Sequence, residues 1–184
     1  VTEFAMILGE ELGKRGPYAD TIDATIVANL RDAMPLHDIG KVGIPDAILL
    51  KLGPLSPAER KALEKHPSLG AQAIQAVIDK APSVGFLTMA RDIALYHHER
   101  FDGTGYPSGL VGDRIPLAAR IAAVADVYDA LTTNRLYQDA VSHEQAAGII
   151  RDGAGSQFDP HVVDAFLRCE KRIEALSIEL GHEF

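Results

Sequence analysis

The sequence has no tryptophan, and aromatic residues make up only 6% of it, so any core must be built mostly from Ala, Leu, Ile and Val. Its single cysteine excludes an internal disulfide framework and fits a reducing, cytoplasmic setting. No uncharged apolar run approaches the ~18 residues of a membrane span, and no charged-then-apolar leader opens the chain. Positive charge is also scarce. Lys and Arg number 18 against 26 Asp and Glu, a formal charge of −8 that argues against a nucleic-acid polymer or an anionic membrane as partner. An anionic substrate would then need positive charge from a metal or from a few placed basic side chains. Period-two runs of β-branched residues are missing, so no sheet is expected. A length of 184 residues suits one domain, and no internal repeat or low-complexity tract divides it.

What is present is helix after helix, and the expected fold is all-α. Apolar residues make up 47% of the chain, enough for a substantial core. Residues 1–13 read as a helix that starts without a cap, as in a chain cut from a longer protein. Asp20 is placed to cap a helix over residues 21–34, and Pro35 forces a kink or restart. Residues 36–40 read as a turn of helix that Gly40 can stop, and 42–57 as a loop with a short turn near 47–50. Ser56-Pro57-Ala58-Glu59 carries a capping-box signal for a helix to about residue 65. Further helices are expected at 67–80, 86–98, 117–131, 143–152, 160–169 and 170–180, the last as a separate C-terminal linker or dimer segment. Between them, residues 100–116 hold four Gly and two Pro and read as a long loop of the kind that carries function.

Potential chemistry is concentrated in His and Asp. His37-Asp38, His66 and His97-His98 form three tight groups, and Asp126 sits in the apolar stretch AARIAAVADVYDAL. A lone His at the end of an apolar face is most often a packed or capping residue. Two adjacent ones before a Gly-rich loop point instead to a ligand pair. Side chains ~100° apart on a helix suit two neighbouring metals better than one. A charged Asp on a buried helix face must pair or coordinate. Together these residues offer four imidazoles and two carboxylates and no thiolate, since Cys169 reads as core. Such a set suits Fe, Mn or Zn, and six ligands fit two metals sharing an Asp bridge. Two metals ~3.5–4 Å apart are the usual arrangement for in-line attack on a phosphoester. Lys41, one turn from Asp38, is placed for a role in the site. Glu99 and Asp102 read as loop-holding or solvated, and His143, His161 and His182 as surface residues.

His37-Asp38-Ile39-Gly40-Lys41 resembles the signature of the HD phosphohydrolase superfamily. The run His97-His98-Glu99-Arg100-Phe101-Asp102-Gly103-Thr104-Gly105-Tyr106-Pro107 resembles that of its HD-GYP subfamily. The likeness continues through Ile115-Pro116, Ala119-Arg120-Ile121, Ala125-Asp126-Val127-Tyr128-Asp129, Arg135, Tyr137 and Phe158-Asp159-Pro160, and covers residues 1–168.

The resemblance implies a compact helical bundle and a bacterial cyclic di-GMP phosphodiesterase, with two or three metals, commonly iron or manganese. By motif match, His37, Asp38, His66, His97, His98 and Asp126 would be the ligands, with Asp38 bridging. Lys41 would meet a metal-bridging hydroxide or the scissile phosphate, and Arg135 a substrate phosphate. Gly105-Tyr106-Pro107 would shape the pocket and meet partner GGDEF domains. The product would be linear pGpG, in some members degraded on to GMP. Upstream, such modules commonly follow a receiver or other sensor. Two departures stand out. The family's first-helix His, and the Glu of its three-metal members, would lie before Val1 and are not in this chain. Gln138 stands where many members have Lys. Two other readings of the same pocket are a catalytically weak or inactive cyclic di-GMP receptor or GGDEF-docking module, and a phosphodiesterase for another dinucleotide such as cyclic GMP-AMP.

Overall fold

The computed structural model describes residues 1–82, 84–134 and 140–181. Among them no strand forms, and the all-α expectation holds; Ala154 and Phe158 make an isolated bridge. Helix α1 (Thr2–Lys14) buries Phe4, Ile7, Leu8 and Leu12 on one face. Helix α2 (Ala24–Ala33) is capped by Asp23, whose carboxylate accepts from the Ile26 amide at 2.8 Å. Asp20 is therefore not the cap. The chain is still turning there, with the Tyr18 carbonyl taking the amides of Thr21 and Ile22.

Pro35 lies in a 3₁₀ turn, Met34–Leu36, and a second 3₁₀ segment follows at Ile39–Gly43. Gly40 sits inside this second segment and does not stop it. Its absence of a side chain serves a different purpose: a Cβ there would collide with the His66 carbonyl and the Gly70 amide. Then come α3 (Asp46–Leu49), α4 (Pro57–Leu63), α5 (His66–Ile78) and α6 (Phe86–Tyr96). The capping box forms as the sequence suggests, Ser56 Oγ accepting the Glu59 amide and Glu59 accepting the Ser56 amide.

After the long loop come α7 (Leu117–Thr132), α8 (His143–Asp152) and α9 (Pro160–Glu179). The two helices expected after residue 160 are one, and it crosses position 168 without a break. Val162, Phe166, Cys169 and Ile173 make a continuous buried stripe along it at helical spacing. Ion pairs Arg168–Glu11 (2.9 Å) and Arg172–Glu10 (2.6 Å) fasten it to α1.

The core lies where α1 packs on α2, α7 and α9, and a second layer forms where α5 packs on α6. Small residues of α7, including Ala122 and Ala125, are fully buried and let its neighbours approach closely. Tyr128 is also fully buried, its hydroxyl 2.9 Å from His143 Nδ1. His143 is thus a core residue and not the surface residue expected, because Tyr128 and Glu170 converge on it from α7 and α9.

A second polar cluster ties the loops to the helices. The Arg120 guanidinium donates to Asp159, to Asp113 (2.8 Å) and to the Tyr18 hydroxyl (2.6 Å). Tyr18 also donates to Asp159 at 2.7 Å. Asp159 caps α9 through the His161 amide. This clasp joins α7, the start of α9, the loop after α1 and the end of the long loop.

Candidate metal centre

The His-Asp pair enters on the tight backbone between α2 and α5. Glycines at 40 and 70 let the Ile39–Gly43 segment lie directly against α5, which brings Asp38 to His66 through main-chain contact. His97 ends α6, and His98 follows it. Asp126 comes from the middle of α7.

Three of the imidazoles are oriented by backbone carbonyls. Nδ1 of His37 lies 2.8 Å from the Met34 oxygen, Nδ1 of His66 2.8 Å from that of Leu63, and Nδ1 of His97 2.9 Å from that of Ile93. A carbonyl only accepts, so each Nδ1 carries the proton and each Nε2 presents a lone pair. This is how metal-binding histidines are usually held.

Those lone pairs face Asp38. Asp38 Oδ1 is 3.3 Å from His66 Nε2 and 3.9 Å from His97 Nε2. Oδ2 is 3.3 Å from His37 Nε2 and 2.6 Å from Lys41 Nζ. Asp126 Oδ1 lies 3.8 Å from His37 Nε2. Oδ1 of Asp38 and the Nε2 atoms of His66 and His97 are buried with no hydrogen-bond partner. Acceptors turned toward one another without a donor are costly unless a cation sits among them. Asp38, His66, His97 and His98 each offer one atom, all within 4.8 Å of one another. This donor set fits a divalent metal centre built from imidazole and carboxylate.

Proton affinities in the cluster agree. Burial would raise the Asp38 carboxyl, but hydrogen bonds and charge from His37 and Lys41 outweigh it and hold the group far below the usual range. Burial lowers His66, and lowers His97 strongly with help from His98 and His37. His98 falls to about 4 through burial and the nearby His66. His37 goes the other way: Asp38 and Asp126 overcome its burial and raise it. His66, His97 and His98 are therefore neutral at pH 7, as ligands must be.

Beside the cluster lies a cavity of about 320 Å³, lined by His97, His98, Arg100, Thr104, Tyr106 and Asp126 among others. Its outer wall is the long loop. Glu99 is buried and accepts from the Ser108 amide (2.7 Å) and the Leu110 amide (3.1 Å), closing the loop on its own start. Gly105 presses on the backbone of Glu99 and Arg100, where a Cβ would collide. The loop is also anchored outward, Phe101 and Asp102 donating their amides to the Gln157 and Ser156 carbonyls. Tyr106 stacks on His98 with ring centroids 4.9 Å apart, and a cis peptide precedes Pro107.

Residues 19–162 match the model of the HD domain family. The chain belongs to that family. Among curated proteins, this HD domain is similar to a cyclic di-GMP phosphodiesterase of Vibrio cholerae, 45% identical over 175 residues, 95% of this chain and 36% of that protein. It is also similar to the cyclic di-GMP phosphodiesterase response regulator RpfG of Xanthomonas campestris, 46% identical over 144 residues, 78% of this chain and 37% of the relative. The chain thus spans little more than a third of the length of these relatives. The solved structure of a cyclic GMP-AMP-specific phosphodiesterase of V. cholerae shares the fold, with a TM-score of 0.57 at 21% identity, covering 95% of this chain and 44% of that one.

Within the HD domain, His37, Asp38, His66, His97, His98 and Asp126 all come to one place. His97 and His98 fall in one four-residue group with Asp38 and His66. Lys41 bonds Asp38, and Gly105 and Tyr106 line the cavity, while Pro107 is exposed outside that lining. Arg135, Tyr137, Gln138 and His182 lie outside the described residues. Sequence reading gave no site role to Arg100 or Thr104; their place inside the HHE…GYP run was the available signal.

Proposed function

We propose that this HD domain is the catalytic part of a metal-dependent phosphodiesterase that opens cyclic di-GMP to linear pGpG. The reading rests on one observation above the rest: unpartnered Asp38 Oδ1 and three imidazoles converging within 4.8 Å. The similarity to named cyclic di-GMP phosphodiesterases supplies the substrate class.

In this reading His37, Asp38, His66, His97, His98 and Asp126 would hold two divalent ions, iron or manganese. When bound, such ions make water a nucleophile near neutral pH and offset charge on phosphoryl oxygens. The chain does the rest. Backbone carbonyls fix the three Nδ1 protons, so the Nε2 lone pairs stay aimed without reorganisation. The Lys41 ammonium, 2.6 Å from Asp38, adds fixed positive charge where an anionic phosphodiester must approach. Arg135 takes a phosphate, and Gly105 and Tyr106 shape the wall that holds the dinucleotide. The wider setting proposed is a cytoplasmic signalling protein with an upstream receiver or sensor domain, the GYP loop meeting GGDEF partners. Among the described residues no helix is long and apolar enough to cross a membrane.

Metal content by elemental analysis on anaerobically purified protein tests this, with cyclic di-GMP turnover measured on the same sample. About two Fe or Mn per chain with pGpG formed is the expected result. Metal-replete protein that binds cyclic di-GMP without cleaving it would make the domain a receptor. Faster cleavage of cyclic GMP-AMP than of cyclic di-GMP would move the substrate assignment.

A further inference from the structure

A cyclic dinucleotide carries two phosphodiesters. When one lies at the metal cluster with Lys41, the other must be met elsewhere on the cavity. Among the described residues that line that cavity, Arg100 alone carries a fixed positive charge. Its position is built. Gly105 presses against the Arg100 amide, where no side chain fits. Arg100 Nε donates to Thr104 Oγ1 at 3.0 Å, and that hydroxyl donates to Asp102 Oδ1 at 2.6 Å. Asp102 Oδ2 stands 3.7 Å from the guanidinium, beyond hydrogen-bond length. The terminal nitrogens of Arg100 are thus held only loosely, Nη2 by its ion pair with Asp102, and the side chain is 35% exposed. A guanidinium steered through Nε, with Nη2 held only by the long 3.7 Å pair to Asp102, can turn its terminal nitrogens to two phosphate oxygens in a bidentate fork.

We infer that Arg100 binds the phosphodiester of the substrate that is not cleaved, and that Thr104 and Asp102 orient it for this. The inference rests on the proposed substrate class, a cyclic dinucleotide. It also gives the HHE…GYP loop a chemical task besides walling the cavity: it supplies an anion contact, beside those proposed for Lys41 and Arg135, to a domain whose net charge is −8.

Arg100→Gln and Arg100→Lys test this against the wild type, by cyclic di-GMP turnover on metal-loaded protein and by calorimetric binding on metal-free protein. Elemental analysis shows that each variant still loads metal. For Arg100→Gln the expected result is a KM and Kd raised about tenfold to a hundredfold, with the loss falling on KM more than on kcat. Arg100→Lys should recover part of it, since the charge survives without the fork. The wild-type KM should rise with salt more steeply than that of Arg100→Gln, which a merely structural role of Arg100 would not produce. Unchanged KM and Kd in Arg100→Gln, or equal salt slopes, overturn the inference and leave the phosphodiesterase reading standing. Arg100-dependent binding without any turnover upholds the inference and sinks the phosphodiesterase reading. A metal-replete wild type that neither binds nor cleaves the dinucleotide overturns both.

Discussion

Two buried polar clusters in this chain solve opposite problems. Around Arg120 the carboxylates of Asp159 and Asp113 and the Tyr18 hydroxyl close on a guanidinium that the chain itself provides. Around Asp38 the same kinds of acceptor converge, and at the core of the group they meet only one another. The first cluster contains its cation. The second is shaped for a cation from outside, with Lys41 reaching just one of its carboxylate oxygens. Burial alone does not separate a structural cluster from a metal centre, since both hold buried charge. What separates them is whether acceptors outnumber donors at the centre of the group.

The largest expected effect breaks the second cluster. Asp38→Ala should lose metal and phosphodiester turnover together, with turnover down about a thousandfold or more. Elemental analysis and a turnover assay on one preparation read both, and full activity would refute the site. The first cluster should answer in a different currency. Arg120→Ala leaves the buried Asp159 carboxylate without its guanidinium and should cost about 3 kcal/mol in denaturant unfolding. Metal content per folded chain should hold, and its loss would mean that the two clusters are not independent.

The smallest effect uses protons in place of a cation. In chelator-treated protein His98 titrates at about 4 when folded, against about 6.5 for an unfolded histidine. The unfolded chain then binds more protons between those values. The stability tied to a neutral His98 is present above about pH 6.5 and is lost as the pH falls toward 4, on the order of 2 kcal/mol. His66 and His97 act in the same direction, and the raised His37 opposes them. Thermal melts of the metal-free protein from pH 7 to 4 should show the decline, and His98→Gln should make it shallower. A wild-type curve level across that window would contradict the burial that lowers His98.

Much of this is legible in the sequence. The helical periods, the Ser56 box and the six His and Asp positions rest on local spacing, and local spacing survives folding. The misreadings have a common cause. Asp20 was an equally good cap by type, and only the turn at Tyr18 makes Asp23 the one used. His143 looked exposed because its partners, Tyr128 and Glu170, are distant in sequence. The unity of α9 depends on α1 lying along it. Arg120 stood in a recognised string, yet its three acceptors come from three other parts of the chain. Long-range partners decide these cases, and spacing along the chain does not reveal them.

The contact between Gly40 and α5 sets a limit on how this gene can drift. A metal ligand can in principle be exchanged for another donor at the same place, His for Asp or Asp for Glu, with function weakened and then recovered. Gly40 has no such neighbour in sequence space: any of the other residues would thrust an atom into the His66 carbonyl and lever Asp38 away from its histidine. The least chemically active residue in the HDIGK string is thus the one with the fewest routes of change.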